Sequence, residues 1–266
     1  MAKKEVTNTT KILICGKGGS GKSTVAALLA KNLQAEGYRV LVVDADESNY
    51  GLSAQLGLKD PKELMEQIGG KNALKGKMGV VKSDGEKAPI FKDLWRIDDI
   101  PSECVSKKGS LSLLQIGKVK HYGEGCACPM GVLSRDFLSH LKLAPRDMAI
   151  IDTEAGVEHL GRGLISSVDL VFAVIDPSYE SIRLSEKISS MAEEGGKPLY
   201  FILNRADNAV ADKLLAKIDK KRVIGVIPFS KAVQEKGLSG EPLDFKSPMM
   251  SDVTQFVLRA LAEKTS

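Results

Sequence analysis

The sequence predicts an α/β protein built on a doubly wound, mostly parallel sheet, and three observations carry that prediction. Short runs that are apolar at nearly every position, such as "KILICG" (11–16) and "RVLVVDAD" (39–46), read as strands buried on both faces. Longer amphipathic runs separate several of them, as strand–helix alternation in a parallel sheet requires. Each apolar run also ends in polar residues, and ligands in such sheets bind beyond the carboxyl ends of the strands.

Taken in order, the first strand leads into "KSTVAALLAKNLQAEG" (22–37), where Val25, Leu28, Leu29 and Leu33 recur at helical spacing and Gly37 supplies the stop. "RVLVVDAD" is the second strand, and "DMAIIDTEAG" (147–156), "DLVFAVID" (169–176), "PLYFILNR" (198–205) and "RVIGVIPF" (222–229) repeat the pattern. "SYESIRLSEKISSMAEEG" (178–195) and "NAVADKLLAKIDKK" (208–221) read as intervening helices. The middle, about 58–122, is richer in Gly, Lys and Asp and shows no helical period after "PKELMEQIGG" (61–70). Within it, 77–98 reads as a hairpin about Ser83-Asp84-Gly85, and "SLSLLQIGKV" (110–119) as a strand returning to the sheet. The whole of 1–266 is read as one domain carrying an insertion at about 58–122.

Composition excludes several classes. The chain has 266 residues, 43% of them hydrophobic, and a net charge of +4 from 38 basic and 34 acidic residues, too mild to argue for nucleic acid or membrane. No apolar run approaches bilayer length, and no apolar stretch follows the basic N-terminus, so a cytoplasmic protein is expected. There, four cysteines are not a disulfide framework; Cys15 reads as a small buried side chain, and Cys104 carries no signal. The tail "SDVTQFVLRALAEKTS" is amphipathic but short and mixed in charge, which favours packing on the body over membrane binding.

"GKGGSGKST" (16–24) matches G-x-x-x-x-G-K-[ST] and lies between a predicted strand and a predicted helix. Gly18, Gly19, Ser20 and Gly21 let backbone N–H groups turn towards an anion at a helix N-terminus, with Thr24 closing the motif; Lys22 can reach the β/γ-phosphates and Ser23 can hold Mg²⁺. Carboxylates at strand ends beside such a loop (Asp44, Asp46 and Asp152) are candidates to hold Mg²⁺ or orient water, against the plainer reading of strand-terminating or capping Asp. Asn204 can pair with both edges of adenine and Arg205 can stack on it, with "VIPF" (226–229), including Pro228, completing a base pocket for ATP or ADP.

The lysine after the first glycine, Lys17, makes the motif a deviant Walker A. With "DAD" (44–46), "DTEAG" (152–156) and "LNR" (203–205) in that order, the chain resembles the dimeric P-loop ATPases that include the nitrogenase iron protein and the septum-site regulator MinD. "DTEAGVEHLGRG" (152–163) together with "CACP" (126–129) narrows the resemblance to the nickel-insertion ATPases of carbon monoxide dehydrogenase maturation (the CooC type), including relatives that mature acetyl-CoA synthase. The resemblance implies Mg²⁺-dependent ATP hydrolysis in a nucleotide-sandwiched homodimer. Lys17 would reach the partner's phosphates, Asp46 would position the attacking water, Asp152 would reach Mg²⁺ through water, and Asp44 would support Mg²⁺. Glu47 departs from the group, where a proline is usual.

The resemblance also implies that Cys126 and Cys128, in the loop 121–131, bind metal at the dimer interface. The chemistry agrees: two thiolates on one side of an extended segment are too few for a closed tetrahedral site, and a two-fold dimer makes four, suiting Ni²⁺ or Zn²⁺. His121, His140 and His159 are read as structural or merely exposed. Three functions are thereby set against one another. The first is a metallochaperone delivering nickel to carbon monoxide dehydrogenase or acetyl-CoA synthase. The others are a positioning ATPase of the MinD/ParA kind and an iron–sulfur carrier.

Overall fold

The computed structural model describes residues 9–78, 89–119, 128–157, 163–243 and 247–263. Among them the strands form one eight-stranded sheet in the order β3-β4-β2-β5-β1-β6-β7-β8. The strands are β1 (Thr10–Gly16), β2 (Arg39–Ala45), β3 (Val105–Lys108), β4 (Leu111–Gln115), β5 (Asp147–Thr153), β6 (Leu170–Ile175), β7 (Leu199–Asn204) and β8 (Val223–Ile227). All pair in parallel except β3, which runs antiparallel to β4. The doubly wound parallel sheet read from the sequence is therefore present.

Alternation along each strand divides the core between the two faces. Leu13 and Cys15 of β1 join one cluster, with Leu133 and Phe137 of α5 (Cys128–His140) and Ile188 of α6 (Tyr179–Glu194). Ile12 and Ile14 join the other, with Leu28, Leu29 and Leu33 of α1 (Lys22–Ala35). The C-terminal helix α9 (Ser251–Glu263) buries Val253, Val257 and Leu261 in that second cluster, so the amphipathic tail packs on the body as expected. Asn32 of α1 fixes its approach, exchanging hydrogen bonds of 3.0 and 2.9 Å with the backbone of Ser247. No described helix is long and apolar enough to cross a membrane.

The middle of the chain departs from expectation. After α2 (Leu52–Leu56) and α3 (Leu64–Gln67), residues Gly70–Met78 form a further helix, α4, that periodicity did not reveal. The turn placed at Ser83-Asp84-Gly85 lies outside the described residues, and the described ends of the expected hairpin, 77–78 and 89–98, do not pair as strands. Met78 ends α4, while Trp95 bridges Leu141 beyond α5. The described hairpin is β3–β4, turning at Gly109 with a positive φ of 63°. Leu111–Gln115 does return to the sheet, alongside β2. Leu64, Leu74, Phe91 and Cys104 share one cluster with the strands, so this stretch packs into the common core.

The second half runs through α6, α7 (Asn208–Leu215) and α8 (Lys231–Ser239), each opened by a side-chain cap from Ser178, Asp207 or Ser230. The helix after the phosphate loop has none.

Candidate nucleotide site

The site is assembled where β1, β2, β5, β7 and β8 end. Beyond β1, Gly19 and Gly21 adopt positive φ of 77° and 95°, and Gly21 starts α1 with no side-chain hydrogen bond capping it. No acidic residue stands in the first turn, so the N–H groups that open α1 and the helix dipole create a positive potential suited to a phosphate. A Cβ at Gly21 would lie 2.3 Å from Asn204 Nδ2, and one at Gly16 would lie 2.5 Å from the Val174 carbonyl oxygen. These two positions therefore require glycine for space as well as for conformation. The Lys22 ammonium, on a nearly buried side chain, donates to the Lys17 carbonyl at 3.3 Å and so lies against the loop it would serve.

Asp44 and Asp152 stand directly opposite in the β2–β5 register, and Asp152 also opposes Ile14 of β1, just before the loop. Asp152 is fully buried, and neither of its carboxylate oxygens has a hydrogen-bond partner. Burial pushes its pKa up to about 7; the neighbouring Ser23 hydroxyl and Lys22 oppose the rise, and Asp44 and Asp46 add to it. A buried carboxylate in this condition is completed by a cation or its water shell. Ser23 is held at that position by Asn49, whose Nδ2 donates to Ser23 Oγ at 2.6 Å. Ser20 Oγ, also buried and unpartnered, adds another open valence in the loop. The residues present thus fit a magnesium nucleotide.

Asp46 is nearly buried and turned by its own loop, with Oδ1 accepting from Ser48 N at 2.9 Å and Ser48 Oγ at 2.7 Å. Asp44 is differently employed. Its Oδ2 pairs with Lys118 Nζ at 2.6 Å, although burial still lifts its pKa to about 6. The Lys118 partnership escaped sequence reasoning, because no motif marks a lysine seventy-four positions from its carboxylate.

On the far side, Asn204 ends β7 and donates from Nδ2 to the Ser20 carbonyl at 2.7 Å, tying that strand to the phosphate loop. Arg205 takes a positive φ of 57°, unusual for a non-glycine, and donates from Nη1 to the Gly19 carbonyl at 3.0 Å. A cavity of about 330 Å³ opens beside them, lined among others by Thr24, Leu28, Asn204, Arg205, Pro228 and Phe229. Its apolar walls and amide edge suit a planar base, and the expected residues Asn204, Arg205 and Pro228 do come together there. Arg205, besides lining this cavity, reaches back over the phosphate loop.

Lys17 does not point into its own cradle: its Nζ lies 3.4 Å from Asp176 Oδ2 at the end of β6. Burial works against the Asp176 charge, but the Ser178 and Ser181 hydroxyls and Lys17 hold its carboxyl below the usual range. Asp176 is a second residue that the sequence reading passed over. The rule that singled out Asp152, a carboxylate at a strand's carboxyl end, would have found it.

The signature of the CbiA family, the CobQ/CobB/MinD/ParA nucleotide binding domain, matches residues 11–243. The chain belongs to this family, and it is an ATPase of the P-loop type. Within the CbiA family it is 45% identical to an ATP-binding protein of Methanocaldococcus jannaschii, over 94% of this chain and all of that one. It is 34% identical to the carbon monoxide dehydrogenase accessory protein CooC of Rhodospirillum rubrum, over 96% of this chain and 97% of the other. Among solved structures it is similar to the Mg-ADP complex of the septum site-determining protein MinD from Pyrococcus horikoshii. The TM-score there is 0.62 at 22% identity, covering 96% of this chain and 95% of that one.

The cysteine pair is the part of the CbiA-family chain that the geometry leaves open. Cys126 and the rest of 120–127 lie outside the described residues; Cys128 is the first residue of α5, where an extended segment was expected. His121 and His159 also lie outside them. His140 ends α5, its Nδ1 2.8 Å from the Asp136 carbonyl, among the rings of Phe91 and its neighbours, which is a structural place. Among the described residues no group of three or more His, Cys, Asp or Glu could hold a metal ion. Cys15 and Cys104 are fully buried, and burial pushes the Cys15 thiol up to about 12, which keeps it inert.

Proposed function

We propose that this chain is a metallochaperone ATPase that delivers nickel to carbon monoxide dehydrogenase or acetyl-CoA synthase, carrying the metal between two copies of itself. The observation that carries the reading is the pair Cys126/Cys128 in a chain 34% identical over nearly its whole length to a carbon monoxide dehydrogenase accessory protein. Two thiolates per chain cannot close a tetrahedral site, whereas two chains supply four. The cargo would be Ni²⁺, with Zn²⁺ able to occupy the same ligands.

ATP binding in both copies would bring the two faces together. Lys22 and the loop amides hold the phosphates, Asn204 and Pro228 flank the base, and Asp46 turns the attacking water. Lys17 leaves Asp176 to meet charge developing on the partner's nucleotide. Ser23 and Asp152, with Asp44 behind them, would hold Mg²⁺, which would neutralise charge on the phosphates. Metal affinity and nucleotide state would then be coupled, and the coupling acts equally in both directions.

The double variant Cys126→Ser/Cys128→Ser tests this. The wild type should take up one Ni²⁺ or Zn²⁺ per pair of chains, with an affinity that differs between ADP and a non-hydrolysable ATP analogue. The variant should lose the metal while still hydrolysing ATP. Retention of the metal at the same stoichiometry in the variant sinks the reading, and a wild type that takes up none points to a positioning ATPase. A broad visible absorption band in anaerobically purified protein points instead to an iron–sulfur carrier.

A further inference from the structure

Lys118 stands just beyond β4, with its ammonium almost fully buried. An ammonium has three N–H donors and no acceptor. Here three acceptors meet it: Asp44 Oδ2 at 2.6 Å, the Asp46 carbonyl and the Asn49 carbonyl. They lie at the end of β2 (Asp44) and in the segment that leaves it, which carries the water-orienting candidate Asp46 and the Ser23 partner Asn49. Other bonds hold the same two segments side by side. Ile116 N donates to the Asp44 carbonyl at 3.0 Å, Val119 N donates to the Glu47 carbonyl at 3.2 Å, and Tyr50 Oη donates to the Val119 carbonyl. The Lys118 backbone is anchored in turn, its N–H donating to Glu63 Oε2 at 3.1 Å.

We infer that Lys118 is a positioning residue for ATP hydrolysis, clamping the loop 44–50 so that Asp46 and Asn49 face the phosphate site. A buried ion pair alone is weak evidence for a stabilising role. The argument rests on where the other two donors go. They bind backbone carbonyls at the two residues whose side chains serve the nucleotide, and they fix that backbone from behind. Asn49 passes the restraint directly to Ser23 through its 2.6 Å hydrogen bond. All three donors of Lys118 are taken up by Asp44, Asp46 and Asn49, so it acts through Asp46 and Asn49. The inference rests on the ATP-site part of the proposed function and is independent of nickel.

The test is Lys118→Met, which keeps the stem and removes the charge. We expect kcat for ATP hydrolysis to fall about tenfold or more while ADP affinity stays within about threefold, the split expected when only transition-state geometry is lost. The Mg²⁺ concentration giving half-maximal turnover should rise, because Ser23 is no longer held, and Lys118→Arg should restore part of the turnover. Wild-type kcat and Mg²⁺ requirement in a Lys118→Met protein that binds ADP overturn the inference. Should Lys118→Met fail to fold, with Asp44 left buried and unpaired, Asp44→Asn/Lys118→Met removes both charges. That double variant must then be slower than Asp44→Asn alone, and equality overturns the inference. Asp46→Asn run in parallel separates the two levels. Full activity there refutes the role given to Asp46, while Lys118→Met is still judged on its own kcat and Mg²⁺ requirement.

Discussion

Replacing Lys17 by alanine is expected to lower ATP turnover by about 10³-fold or more, the scale of a lost arginine finger, while nucleotide affinity changes only a few-fold. The two lysines of the phosphate loop divide the work. Lys22 leans on the loop itself, 3.3 Å from the Lys17 carbonyl, and under the proposed function it serves its own chain's nucleotide. Lys17 is turned aside to Asp176, so its removal leaves the cradle intact. The measurement is single-turnover hydrolysis beside equilibrium nucleotide binding. Mixing decides whether Lys17 acts in the other chain. A dimer of Lys17→Ala with Asp46→Asn contains one composite site with both groups intact, so an equimolar mixture should regain activity that neither variant has alone. No regain at saturating nucleotide would show that Lys17 acts within its own chain. The contact with Asp176 adds a corollary. Asp176→Asn frees Lys17 from its resting partner, and nucleotide-dependent dimerisation should set in at lower protein concentration, as read by sedimentation.

Much of this site was legible because its parts obey local rules. The strands announce themselves where both faces are buried, as in Ile12, Leu13 and Ile14, and the phosphate loop is a contiguous motif whose glycines have steric causes. Asp152 and Asn204 could be placed at strand ends because a strand's carboxyl end can be read from apolar periodicity. The rest depends on packing that no short window records. Helix α4 is "GKNALKGKM", with two glycines and three lysines and Leu74 as its buried anchor, so its amphipathic period is too weak to see. Strand β3, "VSKK", is four residues at the sheet edge with its last two exposed, and alternation cannot establish itself over that length. Lys118 meets Asp44 only because β4 lies next to β2, a fact of topology.

The second large effect concerns Asp152, and it separates stability from function. Exchanging it for asparagine should make the ligand-free protein more stable at pH 8 while abolishing Mg²⁺-dependent turnover. Burial raises the folded-state pKa from 3.8 to about 7, so between those values the folded chain binds more protons than the unfolded one. Stability therefore falls as pH rises from about 4 to about 7 and stays low above that, since the charge must then be kept in a fully buried site. At 1.4 kcal/mol per pKa unit, the penalty at pH 8 is on the order of 4 kcal/mol, and Asp152→Asn should recover much of it. The advantage should shrink to nothing as pH is lowered towards 4. Saturating Mg²⁺ with an ATP analogue should reverse the order, because the cation that completes Asp152 binds only the folded wild type. Denaturant unfolding of both proteins across pH 4 to 8, with and without the magnesium nucleotide, reads all of this directly. A difference between them that is independent of pH would mean that Asp152 is satisfied within the protein, and that its carboxylate is not held open for a cation.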